Sequence, residues 1–161
     1  MEIEEVPSPF DRRNAMINTA FVFMPTVIAL YAISKYKPRK LPLFITANAA
    51  FYTVMRRFGC ARCQYYGKEC STMSGIMTAR MMPRDESKPL DRNALIADMA
   101  IMSALGLYAM PQIFRSYKLA ALYHASLIGS LSAHLFNACG KCGNDFCPMK
   151  DLRKAIIGTE K

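Results

Sequence analysis

The chain has 161 residues, 52% of them apolar, and carries 21 lysines and arginines against 12 aspartates and glutamates. This length indicates a single domain, residues 1–161, and the absence of phosphate-loop, G-x-G-x-x-G, H-E-x-x-H and G-x-S-x-G motifs excludes the enzyme classes that depend on them. Its charged residues crowd between long uncharged stretches, so the basic excess is typical of loops beside a membrane rather than of a nucleic-acid-binding surface. We therefore expect no nucleic-acid partner and no catalysis by the chain alone.

Four stretches of the chain predict membrane-spanning helices, at residues 14–34, 41–57, 94–114 and 119–137. A bilayer needs about 20 predominantly apolar residues per helix, and lysines or arginines flank these stretches, as they flank membrane spans. The second stretch is shorter and ends at Arg56 and Arg57, whose long side chains can reach the membrane surface. The alternative is a soluble helical core, because buried helices are also apolar on every side.

Short links predict how these helices are arranged. The sequences KYKPRK (35–40) and RSYK (115–118) are too short for anything but antiparallel hairpins. The acidic N-terminus and the length of the first apolar stretch argue against a cleaved signal peptide. The predicted fold class is therefore all-α: an integral membrane four-helix bundle built from two transmembrane hairpins, each followed by a cytoplasmic cysteine-rich segment.

All six cysteines fall in two short segments. The first cysteine segment, residues 59–73, holds Cys60, Cys63 and Cys70 in a C-x2-C-x6-C pattern, and the second cysteine segment, residues 138–150, holds Cys139, Cys142 and Cys147 in a C-x2-C-x4-C pattern. Each segment follows two predicted helices, so the chain has an architectural repeat. If the hairpins pack side by side, the two segments meet at one face of the membrane and can complete one site.

The basic residues predict on which side of the membrane that site lies. Of the 21 lysines and arginines, 15 lie in the termini and the loop between the hairpins, on the same side as both cysteine segments. The positive-inside rule makes that side cytoplasmic, although the KYKPRK cluster opposes it. Cytoplasmic thiols are kept reduced, which favours metal binding over disulfides. With the reverse orientation the six cysteines would form three disulfides.

The cysteine spacing favours zinc and leaves other metals open. C-x2-C turns suit tetrahedral thiolate coordination, and Asp145 and Glu69 are candidate additional ligands. The pattern of Cys60, Cys63 and Cys70 is similar to one half of the fungal binuclear zinc-cluster module, from which the second segment departs. An iron–sulfur cluster is the alternative, because Cys147–Pro148 resembles the Cys–Pro of bacterial ferredoxins.

Two ionisable residues inside predicted spans mark a further candidate site. Asp98 and His134 lie at equal distances from the RSYK turn, so an antiparallel hairpin places them at the same depth, just below the cysteines. Such a pair can orient a metal ligand as an outer partner, relay protons, or merely satisfy two polar groups.

These observations predict a function of a general kind. The chain is expected to be a small membrane protein in which a structural zinc site clamps the hairpins and shapes a scaffold or subunit for a membrane complex. Its expected partners are the lipid bilayer and another membrane or cytoplasmic protein. The alternatives are an iron–sulfur electron-transfer subunit that passes electrons to a membrane acceptor such as quinone, and a soft-metal transporter or metallochaperone.

Overall fold

The computed structural model describes residues 7–158, and within that range the chain is helical and contains no β-strand. This confirms the all-α class. The helices are α1 (Arg12–Tyr36), α2 (Leu41–Phe58), α3 (Ser74–Met81), α4 (Arg92–Ile113), α5 (Tyr117–Ala133), which continues as a π-helix (His134–Cys139), and α6 (Pro148–Ile157).

Three of these helices are long and apolar enough to cross a membrane: α1, α4, and α5 together with its π-helical continuation. α2, predicted as a fourth span over residues 41–57, is not among them. Its 18 residues include Asn48 and, in the last turn, Arg56 and Arg57, which lower its mean hydropathy. The four-span bundle therefore stays a prediction, whereas three long apolar helices are a property of the structure.

The apolar surfaces of these three helices are mostly uncovered by the rest of the described chain. Only 28% of the apolar stretch of α1, 6% of that of α4 and 17% of that of α5 is buried. Large side chains such as Val27, Leu107 and Ile128 are more than half exposed. Apolar surface on this scale is not normally left to water.

The two helix pairs interleave instead of packing as separate hairpins. α1 makes its most extensive contacts with α5 and α4, and α2 packs mainly against α4. The buried core lies at the end of the bundle where the short links join the helices, and it consists of Ile28, Ala29, Ala32, Ile33, Phe44, Ala109, Ile113 and Tyr123. Both cysteine segments lie at the other end, because each follows the second helix of its pair.

The linker between the two halves runs back across the first cysteine segment. The backbone N–H of Asp85 donates to the carbonyl of Ala61 at 3.0 Å, and the carboxylate of Asp85 accepts from Arg62 at 2.9 Å. Asp91 then caps α4 by accepting the N–H of Ala94 at 2.7 Å. The linker therefore holds the C-x2-C turn in place as it leads into α4.

Candidate metal centre and adjoining cavity

The first cysteine segment begins in a tight turn at the end of α2. Gly59 ends the helix, and a Cβ atom added to it would lie only 2.6 Å from the carbonyl oxygen of Met55, so the close approach requires glycine. The N–H of Cys63 then donates to the carbonyl of Cys60 at 3.3 Å. This short turn brings Cys60 and Cys63 to the same side of the chain.

A compact loop returns Cys70 toward that turn. Gly67 has φ +74°, and its N–H donates to the carbonyl of Gly75 at 3.2 Å. A Cβ on Gly75 would lie 2.5 Å from the carbonyl oxygens of both Tyr65 and Lys68, so the first turn of α3 is pressed directly against the loop. The spacing of Cys70 from Cys63 is therefore fixed by backbone packing.

α1 anchors the same loop from the other side. The side-chain amide of Asn18, almost completely buried, donates to the carbonyl of Ser71 at 3.0 Å. The hydroxyl of Thr19 accepts the N–H of Met73 at 2.9 Å. The sequence showed these two residues only as polar interruptions of an apolar stretch, and their partners lie more than 50 residues away along the chain.

The second cysteine segment is delivered by the π-helix at the end of α5. This wider helical turn runs from His134 to Cys139, and π-helical turns are frequent at functional sites. The N–H of Cys142 donates to the carbonyl of Ala138 at 3.1 Å, which closes the second C-x2-C turn. Cys147 occupies the position just before α6, and Pro148 follows at the first helical position, where a missing N–H costs nothing.

The two cysteine segments contact each other directly, as the repeat predicted. The N–H of Gly143 donates to the hydroxyl of Tyr65 at 2.9 Å, and the side-chain amide of Gln64 donates to that of Asn144 at 2.7 Å. Asn144 also donates to the sulfur of Cys63 at 3.8 Å. Polar contacts therefore join residues about 80 positions apart, next to the cysteines.

All eight predicted site residues line one cavity of about 350 Å³, which we call the central cavity. They are Cys60, Cys63, Cys70, Cys139, Cys142, Cys147, Asp98 and His134. All six cysteines are free, so the alternative of three disulfides is absent from the structure. Among residues 7–158, however, no three His, Cys, Asp or Glu side chains converge closely enough to hold a metal ion. The thiols share a cavity without forming a complete coordination shell.

Backbone N–H groups are directed at several of the sulfur atoms. The sulfur of Cys70 accepts the N–H of Thr72 at 3.4 Å. Burial raises the pKa of Cys63 and of Cys142, and the nearby backbone N–H groups of Tyr65 and Asn144 oppose that rise. In each case the donor is two residues beyond the cysteine. Hydrogen bonds of this kind stabilise a thiolate more than a neutral thiol and tune the metal that it binds.

Burial favours the protonated form of three of the thiols that line the cavity, those of Cys60, Cys63 and Cys142. Burial, with a smaller contribution from Cys70, raises the pKa of Cys60 from its ordinary 9.0 to about 11. Burial also raises the pKa of Cys63 and of Cys142. Beside Cys60 lies the hydroxyl of Thr78, which is fully buried and has no partner of hydrogen-bonding geometry in the described chain. A thiolate at Cys60 would accept a hydrogen bond from that hydroxyl. This arrangement fits a set of sulfur ligands prepared for a metal.

Asp98 and His134 share the cavity but are not joined. Neither side chain has a hydrogen-bond or ion-pair partner within residues 7–158. The equal depth predicted from the RSYK turn stays a prediction, and no direct hydrogen bond or ion pair joins the two side chains within residues 7–158. Both remain available to a group inside the cavity.

Arg56 departs from the sequence prediction. The prediction that its side chain reaches the membrane surface is wrong: Arg56 is only 7% exposed and lines the central cavity. Its guanidinium lies 3.7 Å from the sulfur atoms of both Met77 and Met81 on α3. The four-residue spacing of these methionines places both sulfurs on one face of a short helix, and that face meets Arg56.

The candidate additional ligand in the second segment lies elsewhere. The side chain of Asp145 is 85% exposed and pairs with Lys150, which holds the pKa of the carboxyl below its usual range. Asp145 therefore faces away from the cavity, whereas Lys150 lines it.

No family model, no curated protein and no solved structure matches this chain. Its function has to be argued from the chemistry of its own residues. Six sulfur donors, of which Cys70 and Cys63 accept N–H hydrogen bonds, suit zinc, iron–sulfur clusters and other thiophilic metals.

Proposed function

We propose that this chain is a small integral membrane protein in which cysteines from both segments bind a metal, most simply structural zinc, and so lock the two halves of the molecule together. The observation that carries the proposal is that all six cysteines line one cavity at the point where the segments touch. Zinc is the simplest choice because it accepts four thiolates without redox chemistry and stabilises small folds outright.

The contact between the segments explains why a metal would be useful there. The hydrogen bonds found between the segments are those from Gly143 to Tyr65, from Gln64 to Asn144 and from Asn144 to Cys63. The net contribution of each such hydrogen bond to the stability of the fold is only about 1 kcal/mol. A metal bound by thiolates from both segments contributes far more, because its binding free energy becomes folding free energy. Burial and, to a smaller extent, the nearby Cys63 raise the pKa of Cys142, so we expect these two cysteines to share the metal.

The surroundings of the site support a membrane location. The three long apolar helices leave most of their apolar surface uncovered, and a lipid bilayer is the partner that would cover it. On the positive-inside rule the cysteine segments face the cytoplasm, where thiols stay reduced. The basic cap around them would then dock another membrane or cytoplasmic protein, with the chain acting as scaffold or subunit.

Metal analysis of protein purified without oxygen tests this proposal. We expect a colourless protein with one or two zinc ions per chain. Cys63→Ser and Cys142→Ser, one from each segment, should each lose zinc and lower the melting temperature, whereas Ser34→Ala at the exposed end of α1 should change neither. A metal-free wild type, or full zinc content and unchanged melting in both cysteine variants, would refute it.

The second candidate is an iron–sulfur electron-transfer subunit. It is favoured by the cavity that extends from the thiols into the helices and reaches Asp98 and His134, which could carry protons to a membrane acceptor. N–H donors to cysteine sulfur are also among the features that set the potential of such clusters. The same preparation separates the candidates, because a brown protein with an electron paramagnetic resonance signal identifies the cluster and excludes structural zinc.

A further inference from the structure

The central cavity extends beyond the cysteines into the space between α1, α2 and α4. Apolar side chains form this part of its wall: Val22, Phe51, Met55, Leu95, Met99 and Met102. Met99 is 40% exposed, so the wall is open toward the helix surface that lipid would cover. The volume of about 350 Å³ falls in the range of roughly 300–1,000 Å³ that is typical of small-molecule sites.

Three polar groups in the same space lack partners. The hydroxyl of Tyr52 is buried and has no hydrogen-bond partner in the described chain, although its ring stacks on Phe23 at 5.3 Å between centroids. Asp98 and His134 also have no partner within residues 7–158. Buried polar groups are normally hydrogen-bonded, so a buried hydroxyl without a partner, beside two half-buried ionisable side chains in one cavity, indicates a ligand that carries polar atoms.

We propose that this cavity binds a quinone-class molecule: a flat ring with two oxygen atoms and an apolar tail. The ring carbonyl oxygens accept hydrogen bonds from Tyr52 and from a ring N–H of His134. Asp98 accepts from the hydroxyl of the reduced form. The ring packs on the methionine, leucine and phenylalanine side chains, and the tail leaves past Met99 into the lipid.

Other occupants fit the lining less well. A plain acyl chain would leave all three polar groups unsatisfied. A cationic amine would meet Asp98 but also Arg56 and Lys150, the two basic residues that line the cavity. A neutral ring with oxygen acceptors matches both the apolar wall and the donors. The inference concerns binding alone, and it goes beyond the proposed function because the walls are helices and the binding groups are not the cysteines.

Thermal unfolding with a defined probe tests the site. The purified full-length chain is titrated with decylubiquinone, whose fully substituted ring resists addition of cysteine thiols, and with decylbenzene, which lacks the oxygens. We expect a saturable rise in melting temperature with decylubiquinone alone. Equal responses to both compounds, or no response to either, would overturn the inference.

Matched variants assign the response to the cavity. Tyr52→Phe and His134→Gln should each weaken the apparent affinity about tenfold, the effect of one lost hydrogen bond to a well-placed donor. Tyr31→Phe and His124→Gln remove the same groups at exposed positions outside the cavity and should bind like the wild type. Wild-type affinity in both cavity variants would overturn the assignment.

Photo-crosslinking with an azido-substituted quinone keeps the inference testable if a cavity variant does not fold. Label on wild-type peptides from α2, α4 or the π-helix supports it, and label confined to other segments overturns it. Zinc content is measured on the same samples. Metal without a quinone response contradicts this inference alone, whereas a quinone response without metal contradicts the metal proposal alone.

Discussion

The two cysteine segments are held by different means, although each supplies three thiols to the same cavity. The first is locked by backbone packing at Gly59 and Gly75, by Asn18 and Thr19 of α1, and by the linker through Asp85. The second is carried by a π-helical turn and meets the first through a few polar contacts. The first segment is therefore a preformed half of the site. The second is docked onto it, so its position depends more on a group, such as a metal, that joins the two segments.

Metal removal should separate the two segments most strongly. If a metal joins them, a chelator should speed amide hydrogen exchange in residues 138–150 by about tenfold or more, equivalent to about 1.4 kcal/mol of local stability. Residues 59–73 should change much less, because protein contacts hold them. Mass spectrometry of exchanged peptides measures both segments in one sample. Equal loss of protection in the two segments would contradict the difference between a preformed and a docked half.

A glycine in each segment tests the same contrast without touching the metal ligands. Gly75→Ala forces a Cβ against two carbonyl oxygens at 2.5 Å and should destabilise the protein by about 3 kcal/mol. Gly140→Ala meets only the guanidinium of Arg153, at 3.1 Å, which is the movable end of a long side chain, so it should cost less than about 1 kcal/mol. Denaturant titration measures both. Similar losses would show that the first segment is no more rigid than the second.

The contact between the segments should make a smaller contribution. Tyr65→Phe removes the hydroxyl that accepts the N–H of Gly143 and should cost about 1 kcal/mol. Tyr117→Phe is the matched control, because that side chain is 79% exposed. The loss should be larger in metal-free protein, where this contact has no metal beside it. An unchanged melting temperature for Tyr65→Phe in both forms would mean that the contact contributes nothing.

The smallest effect is the pH dependence of the linker clamp. Hydrogen bonds from Ser87 and Arg62 lower the pKa of Asp85 from 3.8 to about 2. Because this folded-state pKa is depressed, the contribution is present above pH 3.8 and is lost as the pH falls toward 2. In Asp85→Asn the melting temperature should therefore depend less on pH within that window. Asp151→Asn is the control, because Asp151 forms a half-exposed ion pair with Arg92. If the melting temperature of Asp85→Asn changes with pH as steeply as that of the wild type, Asp85 is not the source of the pH dependence.

The parts of the fold that depend on local pattern could be predicted from the sequence. The uncharged stretches indicated the long helices, and the repeated order of helices and cysteines indicated that the two segments meet. The burial of Arg56 could not be predicted, because it depends on α3 folding back over α2. Nor could the anchoring roles of Asn18 and Thr19, whose partners lie more than 50 residues away.

The candidate site divides in the same way. The spacing of the cysteines and the depth of Asp98 and His134 placed them near one another, since both follow from helix length. Tyr52, by contrast, gave no sign of its role, because a tyrosine in an apolar helix usually lies at a membrane surface. Its significance depends on the absence of any partner for its hydroxyl in the described chain, which only a three-dimensional structure shows.

The interleaving of α1 with α4 and α5 has a consequence for biosynthesis. α1 leaves the ribosome first, but α5, with which it packs most extensively, begins about 80 residues later. At roughly 5–20 residues per second, that delay is about 4–16 seconds. If the protein enters a bilayer as proposed, α1 waits there beside α2, with lipid or an insertion factor covering its remaining surface, until α4 and then α5 arrive. Neither half can therefore complete its packing alone, and a chain cut in the 82–91 linker should regain its structure only when both pieces are made together.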